Sequence, residues 1–364
     1  MNYLIGIERE GFRVDLDGNM ARTPHPQAFG DKLVNPLIGT DFGEPMLELR
    51  SYPHPDPESC YLELLQITRG ALKALYEQGE LLWPCSVPYQ VPDEDTFPFN
   101  RYPGRPDLEE HERLITRVYG VRRLCLAGIH VNFSIGMGAL MEIRRIYPNV
   151  PYDRDAAYLQ CARQVILHED ALRHFFDASP TDFEGRLTQE TSLRNSAKGM
   201  RNPNAKKLDY TSVEAYIRSL QQTRSYERLS AIRIKSRNMD SADEGIGQHG
   251  IERLEFRLCD VDPFDVCGIS LHEIRLAVAV LFLCMTGDTI PDGPTDILLS
   301  CAEADRKLGL GFGETLAHYL ELERNGCTKA GRVRRLICEN GREGLMKLAL
   351  RYGEDAAKGE NRDG

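Results

Sequence analysis

Several patterns that define common protein classes are missing from this chain of 364 residues. It has no apolar run of about 18 residues, the length a membrane-spanning helix needs, and its start lacks the charged-then-apolar pattern of a signal peptide. The motif Gly-x-Ser-x-Gly of serine hydrolases is also absent. We therefore expect a cytoplasmic protein that has no membrane partner and does not use a serine-nucleophile elbow.

Metal-binding cysteine motifs are missing as well. None of the ten cysteines forms a Cys-x-x-Cys pair, and most stand among apolar neighbours, as in "LFLCM" (281–285) and "RLICE" (335–339). Apolar surroundings are typical of buried, reduced thiols. The sequence therefore predicts neither a zinc site nor a disulfide framework.

Clustered positive charge is scarce. The formal net charge is −10, and the only short basic run is "GRVRRL" (331–336), which suits a solvated helix face. Proteins that bind nucleic acids usually carry a basic patch. We therefore expect small-molecule partners and no nucleic acid, while the sequence leaves the oligomeric state open.

Short apolar segments, several with alternating polarity, predict strands. Between them, apolar residues at three- and four-residue spacing predict helices, for two of which Asp153 and Ser270 are suitable N-caps. The predicted strands cover 3–8, 44–50, 127–135, 228–236 and 251–260, and the predicted helices cover 57–78, 153–176 and 270–285.

The strands are widely separated and do not alternate regularly with helices, which favours an α+β fold with an antiparallel sheet over a doubly wound parallel sheet. The segment 89–106 is rich in proline and acidic residues and predicts a loop, and 237–250 predicts another. No linker divides the chain, so we expect one domain over residues 1–352. The remaining residues, 353–364, are expected to be a disordered acidic tail.

Acidic side chains recur on the predicted strands. Glu8 and Glu10 lie two residues apart, as do Glu255 and Arg257, and side chains at this spacing in a strand share a face. Unpaired buried carboxylates are costly, and Mg²⁺ is a natural partner because it prefers oxygen ligands and bridges to substrate phosphates. The joint occurrence of such pairs predicts a reaction that depends on ATP and Mg²⁺.

Each feature alone has a simpler explanation. Glu8 and Glu10 would also fit an exposed edge strand, and His130 would also fit a hydrogen-bonded histidine in the core. Glu255 and Arg257 would also fit a surface ion pair. The glycines of "GLGFGE" (309–314) lack the Gly-Lys-Ser/Thr ending of a phosphate-binding loop and are a weak signal.

Several ordered blocks resemble the glutamate–cysteine ligases of the proteobacterial type. A further segment, "LGLGFGE" (308–314), is similar to a glycine-bearing segment of that family. The blocks are "GIERE" (6–10), "TDFGEPMLEL" (40–49), "LWPCSVP" (82–88), "GIHVNFS" (128–134), "DASP" (177–180), "TSLR" (191–194), "AIRIK" (231–235) and "GIERLEFRLCDVDPF" (250–264).

This resemblance implies a fold related to glutamine synthetase, in which an antiparallel sheet forms a funnel-shaped active site flanked by helices. It also implies a ligase that uses ATP and two or three Mg²⁺ ions to phosphorylate the γ-carboxylate of glutamate. An amino group, that of cysteine in the family, then displaces the phosphate to form a γ-glutamyl amide. Family membership thereby implies a role in glutathione biosynthesis.

The resemblance also implies roles for individual residues. Arg257, Arg233 and Lys235 would contact the phosphates of ATP, Arg194 would bind the carboxylate of the incoming amino acid, and Phe42 and Asn132 would line the substrate pocket. The implied ligands of the Mg²⁺ ions or their nucleotide phosphates are Glu8, Glu10, Asp41, Glu48, His130 and Glu255.

Three positions depart from the family pattern. Met200 and Leu229 stand where the family has tyrosines, and Leu124 stands where it has a glutamine. All three family residues surround the cysteine substrate, so these changes would make the acceptor pocket more apolar and remove hydrogen-bond partners. Three alternatives to a cysteine ligase remain open. One is the same chemistry with a different amine in a specialised pathway. The others are a phosphotransferase that releases a phosphorylated carboxylate and a non-catalytic binding protein on the ligase scaffold.

Overall fold

The computed structural model describes residues 1–201, 205–223, 230–236 and 242–359. Within these ranges, strands and helices are mixed and every strand pairing is antiparallel. The α+β class with an antiparallel sheet, predicted from the spacing of the apolar segments, is therefore confirmed. The strands are β1 Tyr3–Asp15, β2 Ile38–Thr40, β3 Met46–Arg50, β4 Glu80–Leu82, β5 Ile129–Ile135, β6 Ile232–Lys235 and β7 Arg253–Cys259.

Helices lie between the strands in the sequence and follow the last strand. The first is α1 Pro57–Glu77, and the helices before β6 continue with α2 Pro106–Tyr119, α3 Val121–Leu124, α4 Met137–Ile146, α5 Arg154–Leu167, α6 Glu169–Phe176 and α7 Val213–Thr223. The later helices are α8 Ala242–His249, α9 Leu271–Thr286, α10 Pro294–Leu308, α11 Gly313–Arg324 and α12 Lys329–Lys358. Asp153 and Ser270 cap α5 and α9 as predicted, because their side chains accept hydrogen bonds from the backbone of Ala156 and Glu273.

The long strand β1 lies inside the sheet rather than at its edge. The strand order is β2-β3-β1-β5-β7-β6, and β4 pairs with the end of β1. Glu8 therefore stands between Arg50 of β3 and His130 of β5. This central position excludes the exposed edge strand as an explanation for Glu8 and Glu10.

Alternation along the strands gives the sheet one apolar and one charged face. Ile5 and Ile7 of β1 and Phe256 of β7 are fully buried on the apolar face. Helices α1, α5 and α9 pack against the sheet, and α9 is buried along most of its length. Most acids and bases of the strands lie on the other face, which positions the candidate site. Arg9 is an exception, because it is buried on the same face as Ile5 and Ile7.

One hydrophobic cluster of buried side chains runs from Tyr3 to Ala349. All ten cysteines are free thiols and eight of them are buried, as their apolar neighbours predict, while Cys327 is half-buried and Cys338 exposed. No described helix combines the length and apolarity that crossing a bilayer requires.

Three predicted segments need correction. The helix expected over 153–176 is two helices, because the backbone of His168 leaves the helical range and α5 and α6 then pack on different neighbours. Part of the predicted loop 237–250 is the helix α8. Residues 353–358, expected in a disordered tail, continue α12, because this end packs on α1 and places Gly353 against Tyr76.

The glycines of 309–314 serve the connection between α10 and α11. Gly309 caps the end of α10 with a φ of 65°, and Gly311 has a φ of 84°. Both values lie in the left-handed region, which glycine adopts without the clash that a Cβ atom would cause. The conformation of this turn therefore explains why glycine stands at both positions, and a phosphate-binding role is not needed to explain them.

Candidate active site

The charged face of the sheet gathers residues from five strands. Cross-strand pairing joins Glu8 to His130 and Glu10 to Glu48. Glu255 of β7 stands between Asn132 and Arg233 on its two neighbouring strands. Residues far apart in the sequence therefore meet here because antiparallel pairing brings their strands together.

Three side chains form a group with the spacing of metal ligands. One ligand atom each from Glu8, His130 and Glu255 lies within 4.8 Å of the other two. His130 is 2% exposed, and its Nε2 has no hydrogen-bond partner among the described residues, although Glu10 Oε1 lies 3.6 Å away. An unpaired buried nitrogen beside three carboxylates suits a cation better than it suits a core histidine.

Hydrogen bonds hold the carboxylate of Glu8. Its Oε1 accepts from Asn132 Nδ2 at 2.9 Å, and its Oε2 lies 3.3 Å from His130 Nδ1. Burial and the neighbouring Glu255 raise the pKa of Glu8, but the contact with His130 and the charge of Lys235 outweigh them. The pKa of Glu8 is therefore below its ordinary value, so the side chain is a carboxylate at neutral pH.

Glu255 is surrounded by positive charge. Lys235 Nζ lies 2.8 Å from its Oε2, Arg233 lies 3.5 Å from its Oε1, and Arg257 donates a hydrogen bond to the same oxygen. Burial alone would raise the pKa of Glu255, but the charges of Arg233, Arg257 and Lys235 hold it well below its usual value. Because Glu255 is 1% exposed, the surface ion pair that the sequence left open is excluded.

The acids on the other side of His130 have few cations near them. Burial, with the charges of Glu8 and Asp41, raises the pKa of Glu48 to about 8, although Arg50 lies 3.3 Å away. Burial and Asp41 also raise the pKa of Glu10, whose Oε2 accepts a hydrogen bond from the backbone of Gly128. A cation bound here would offset both the burial of these carboxylates and their mutual repulsion, and would therefore lower both pKa values.

Asp41 and Phe42, in the turn between β2 and β3, differ in their exposure to solvent. Asp41 is exposed, and its charge is close enough to raise the pKa values of Glu10 and Glu48. Phe42, expected to line the substrate pocket, is 3% exposed and stacks on Phe97 with ring centroids 5.0 Å apart. Because Phe42 packs in this aromatic cluster, its assignment to the wall of the substrate pocket stays a prediction.

Arg194 is buried beneath the charged face. It is 1% exposed, its NH1 lies 3.6 Å from Asp260 Oδ1, and its guanidinium packs against Gly128. Its positive charge counteracts the rise in the pKa of Glu10, which places it near the acids. Its assignment to the carboxylate of an incoming amino acid stays a prediction.

The structure describes two of the three positions that depart from the family pattern, and these two lie in different apolar clusters. Met200 packs against a small apolar cluster of Val87, Leu126 and Leu193. Leu124 is buried in the main core, and Leu229 lies outside the described residues. Their assignment to an acceptor pocket remains a prediction.

Sequence reasoning missed Arg253, which stands on the charged face beside Lys235. Its Nε donates to Asn132 Oδ1 at 2.8 Å, and Asn132 in turn donates to Glu8. Arg253 therefore fixes which way the Asn132 amide points. The two-residue spacing of Arg253, Glu255 and Arg257 was the signal that could have identified it.

The residues present fit a divalent cation of the magnesium or manganese type. Carboxylate oxygens dominate the donor set, and His130 supplies one imidazole nitrogen with no other partner among the described residues. Cationic side chains from β6 and β7 lie directly beside this acidic group. Such an arrangement can hold a metal ion together with the negatively charged oxygens of a phosphorylated ligand.

Comparisons with known proteins point to one family. A family model described as glutamate-cysteine ligase matches residues 1–184. The glutamate–cysteine ligase of Pseudomonas aeruginosa is 32% identical, over 84% of this chain and 69% of that protein. The glutathione biosynthesis bifunctional protein of Listeria monocytogenes is 33% identical, over 76% of this chain. That match spans only 39% of the Listeria protein.

Two solved structures share the fold. A bifunctional glutathione synthetase from Pasteurella multocida superposes with a TM-score of 0.83 at 26% identity, over 98% of this chain and 53% of that one. A glutamate–cysteine ligase from Francisella tularensis in complex with AMP gives 0.81 at 20% identity, over 98% and 89%. At 20% identity, the second likeness concerns the fold alone.

Proposed function

Because the chain belongs to the glutamate–cysteine ligase family, we propose that it joins the γ-carboxyl group of glutamate to the amino group of an amino acid with cleavage of ATP. The amino acid is cysteine by analogy with the Pseudomonas relative that carries this name. The products would be a γ-glutamyl amide, ADP and phosphate. By the same analogy with the Listeria relative, the reaction would belong to glutathione biosynthesis.

One observation carries the proposal: Glu8, His130 and Glu255 form a metal-sized group beside three cationic side chains on the charged face of the sheet. A non-catalytic binding protein would have no need to keep an acid such as Glu48, whose pKa is raised to about 8 by burial and by the charges of Glu8 and Asp41. Transfer of a phosphoryl group needs both parts, cations that neutralise charge and groups that hold those cations.

The metal-holding residues in this proposal are Glu8, His130 and Glu255, with Glu10, Glu48 and Asp41 supplying further oxygens. When bound, Mg²⁺ would offset the charge that gathers on the transferred phosphoryl group. Asn132 and His130 would keep the Glu8 carboxylate turned toward the ion, since both already contact it.

The cations of β6 and β7 would bind the phosphate oxygens of ATP. Arg257, Arg233 and Lys235 now contact Glu255, and a metal ion on that carboxylate would take over part of the charge compensation. Their side chains would then be available to phosphate oxygens, for which arginine has matching pairs of donors.

The γ-carboxylate must be phosphorylated first, because an unmodified carboxylate has no good leaving group for the amine to displace. A γ-carboxylate oxygen of glutamate attacks the γ-phosphorus of ATP, the bond to the bridging oxygen breaks, and ADP leaves. The amine then attacks the carbonyl carbon of the acyl phosphate, phosphate leaves with the electron pair of the C–O bond, and the amine loses a proton. Arg194 would orient the amino acid through its carboxylate.

The identity of the amine that accepts the γ-glutamyl group has a second candidate. Met200 and Leu229 replace family tyrosines and Leu124 replaces a glutamine, and Met200 packs against an apolar cluster. Loss of hydrogen-bond partners weakens selectivity for the original substrate. An acceptor amine other than cysteine is therefore the second candidate.

The test measures ADP release by the purified protein with MgATP and glutamate, alone and with each member of a panel of amines, and identifies the products by mass spectrometry. A γ-glutamylcysteine product with cysteine strongly preferred supports the leading proposal. Turnover that depends on another amine supports the second candidate. ADP release without any amine would indicate a phosphotransferase, and no ADP with any pair would favour a different carboxylate donor or a binding protein.

A further inference from the structure

A cavity of about 230 Å³ lies apart from the charged face of the sheet. The first turns of α9 and α12 meet α6, α11 and the segment after β7 there, and we call it the α9–α12 cavity. Six of its lining residues are Asp262, Asp265, His272, Glu273, His318 and Lys329. None of the residues assigned above to metal, nucleotide or substrate lines it.

Acids outnumber permanent cations around the cavity. Lys329 pairs with Glu273 at 2.6 Å, and Arg332 pairs with Asp262 at 3.0 Å. Two further lining carboxylates, Asp265 and Glu323, form no ion pair with a lysine or arginine of the described residues, although Glu323 lies 2.6 Å from His174. The excess of negative charge favours a ligand that carries a positive group.

One buried acceptor atom lacks a donor. Glu273 is 1% exposed, and its Oε1 accepts a hydrogen bond from Lys329, while its Oε2 has no hydrogen-bond partner among the described residues. Burial raises the pKa of Glu273 to about 7, although Lys329 opposes this rise. Oε2 is enclosed in the structure, so an N–H group from a bound cation would satisfy it, and favour the charged carboxylate, once the carboxylate turns toward the cavity.

Aromatic rings form another part of the lining. The imidazoles of His272 and His318 are stacked with centroids 4.9 Å apart, and Tyr319 packs edge-on against His318. In the described part of the chain, the only group with metal-ligand spacing is the one on the sheet, so these histidines do not preform a metal site. Ring faces beside carboxylates suit an organic ammonium ion instead.

We propose that the α9–α12 cavity binds a small primary ammonium compound, either a simple amine or an amino acid. Its ammonium group donates to Glu273 Oε2, and its carbon chain lies against the stacked rings of His272 and His318. The cavity volume of about 230 Å³ is large enough for a ligand of this kind. This site is additional to the one that would carry out the ligase reaction.

The test uses the full chain with ¹³C-labelled histidines and follows the imidazole signals during titration with ethylamine, L-alanine or ethanol, without ATP or glutamate. His272→Gln and His318→Gln assign the two reporter signals. Ethylamine should shift both signals saturably, and ethanol, which has the same size but no charge, should not. The L-alanine titration separates an amino acid ligand from a simple amine.

Variants locate the bound ammonium group. Glu273→Gln should weaken ethylamine binding at least tenfold, and Glu323→Gln, at a half-exposed position on the same lining, should weaken it severalfold. Glu303→Gln removes an exposed acid of α10 outside the lining and is the matched control with unchanged affinity. Glu8→Gln should also leave the affinity unchanged, since Glu8 belongs to the sheet.

Several results would overturn the proposal. They are the absence of a saturable shift, an equal response to ethanol, and wild-type affinity in Glu273→Gln. If Glu273→Gln does not fold, unchanged affinity in Glu323→Gln decides against the site instead. Loss of the shift in Glu8→Gln would place the amine on the sheet. Because neither ATP nor glutamate is added, the ligase reaction cannot proceed, and the Glu8→Gln control distinguishes an amine bound at the sheet from one bound in the α9–α12 cavity.

Discussion

At the scale of single residues, the charged face separates two kinds of carboxylate. Glu255 is held by Arg233, Lys235 and Arg257, whereas Glu48 pairs with a single cation of the described residues, the partly exposed Arg50. The sequence presents both as acids on short strands, and only the pairing of β7 with β6 distinguishes them. Their different pKa directions therefore could not be predicted from spacing.

Glu8→Gln tests the metal site directly. We expect turnover to fall at least about 100-fold, because the neutral amide cannot replace a carboxylate ligand. The melting temperature should stay close to that of the wild type, because the amide oxygen of glutamine still accepts the hydrogen bond from Asn132.

The control for that variant is Glu77→Gln, which removes an exposed acid at the end of α1. Steady-state ADP release and thermal unfolding of both variants provide the comparison. Wild-type turnover in Glu8→Gln would eliminate the metal assignment, and a large loss in Glu77→Gln would show that removing any acid is harmful.

Arg253 acts on Glu8 through Asn132, so we regard it as a positioning residue. Arg253→Gln should weaken Mn²⁺ binding about tenfold, because Asn132 loses the donor that fixes its amide. Electron paramagnetic resonance without nucleotide measures this affinity. Arg253→Lys keeps the charge but not the Nε geometry, and full rescue by lysine would show that charge alone matters.

At the scale of elements, the alternation of polarity predicted most of the sheet. Ile5 and Ile7 against Glu8 and Glu10 indicated β1, but its end at Asp15 was missed because Gly11 interrupts the apolar pattern. The order of the strands was not predictable, since it depends on contacts between distant segments. Helix α9 was predicted almost to the residue because its N-cap Ser270 and its apolar run are both local signals.

Gly128, directly before β5, is required by the packing of Arg194. A Cβ atom at this position would lie 2.0 Å from the NH2 nitrogen of that buried side chain. Gly128→Ala should therefore lower the free energy of unfolding by more than about 2 kcal/mol, because the guanidinium has no open space to enter.

The matched control is Gly70→Ala in the middle of α1, where a new Cβ atom meets nothing within 4 Å. Alanine should stabilise that helix by about 0.5–1 kcal/mol. Urea unfolding of both variants measures the two effects. Equal stability of Gly128→Ala and the wild type would show that Arg194 can move at little cost.

At the scale of the whole molecule, the resemblance of ordered sequence blocks predicted the family correctly, and the shared fold covers 98% of the chain in both solved relatives. The chain spans about two fifths of the Listeria protein and 69% of the Pseudomonas protein. Local motifs identify a family because they persist where function requires them. Such motifs could not predict the surroundings of Met200 and Leu124, because these depend on how distant segments pack together.

The stability of the metal-free protein should depend on pH through Glu48. Its pKa is raised from an ordinary 4.5 to about 8, so between these values the folded state holds a proton that the unfolded state has released. The free energy of unfolding should therefore fall as the pH rises through this window, by up to about 1.4 kcal/mol per unit.

Urea unfolding in EDTA at pH 6, 7 and 8 measures this slope for the wild type and Glu48→Gln. The variant has no proton to release at this position, so its stability should fall less steeply. The pKa values of Asp265 and Glu273 are raised to about 6 and 7. These two groups should therefore contribute to the decrease of the free energy of unfolding with pH in both proteins. Identical slopes would show that Glu48 titrates normally.

The alternation along β1 restricts how this family can change over evolutionary time. Because neighbouring residues face opposite sides, deletion of one residue before Glu8 would turn both glutamates into the apolar core and expose Ile7 in their place. Substitutions in β1 can be selected one at a time, but an insertion or deletion of a single residue cannot. Length variation among relatives should therefore accumulate in the connections and spare this strand.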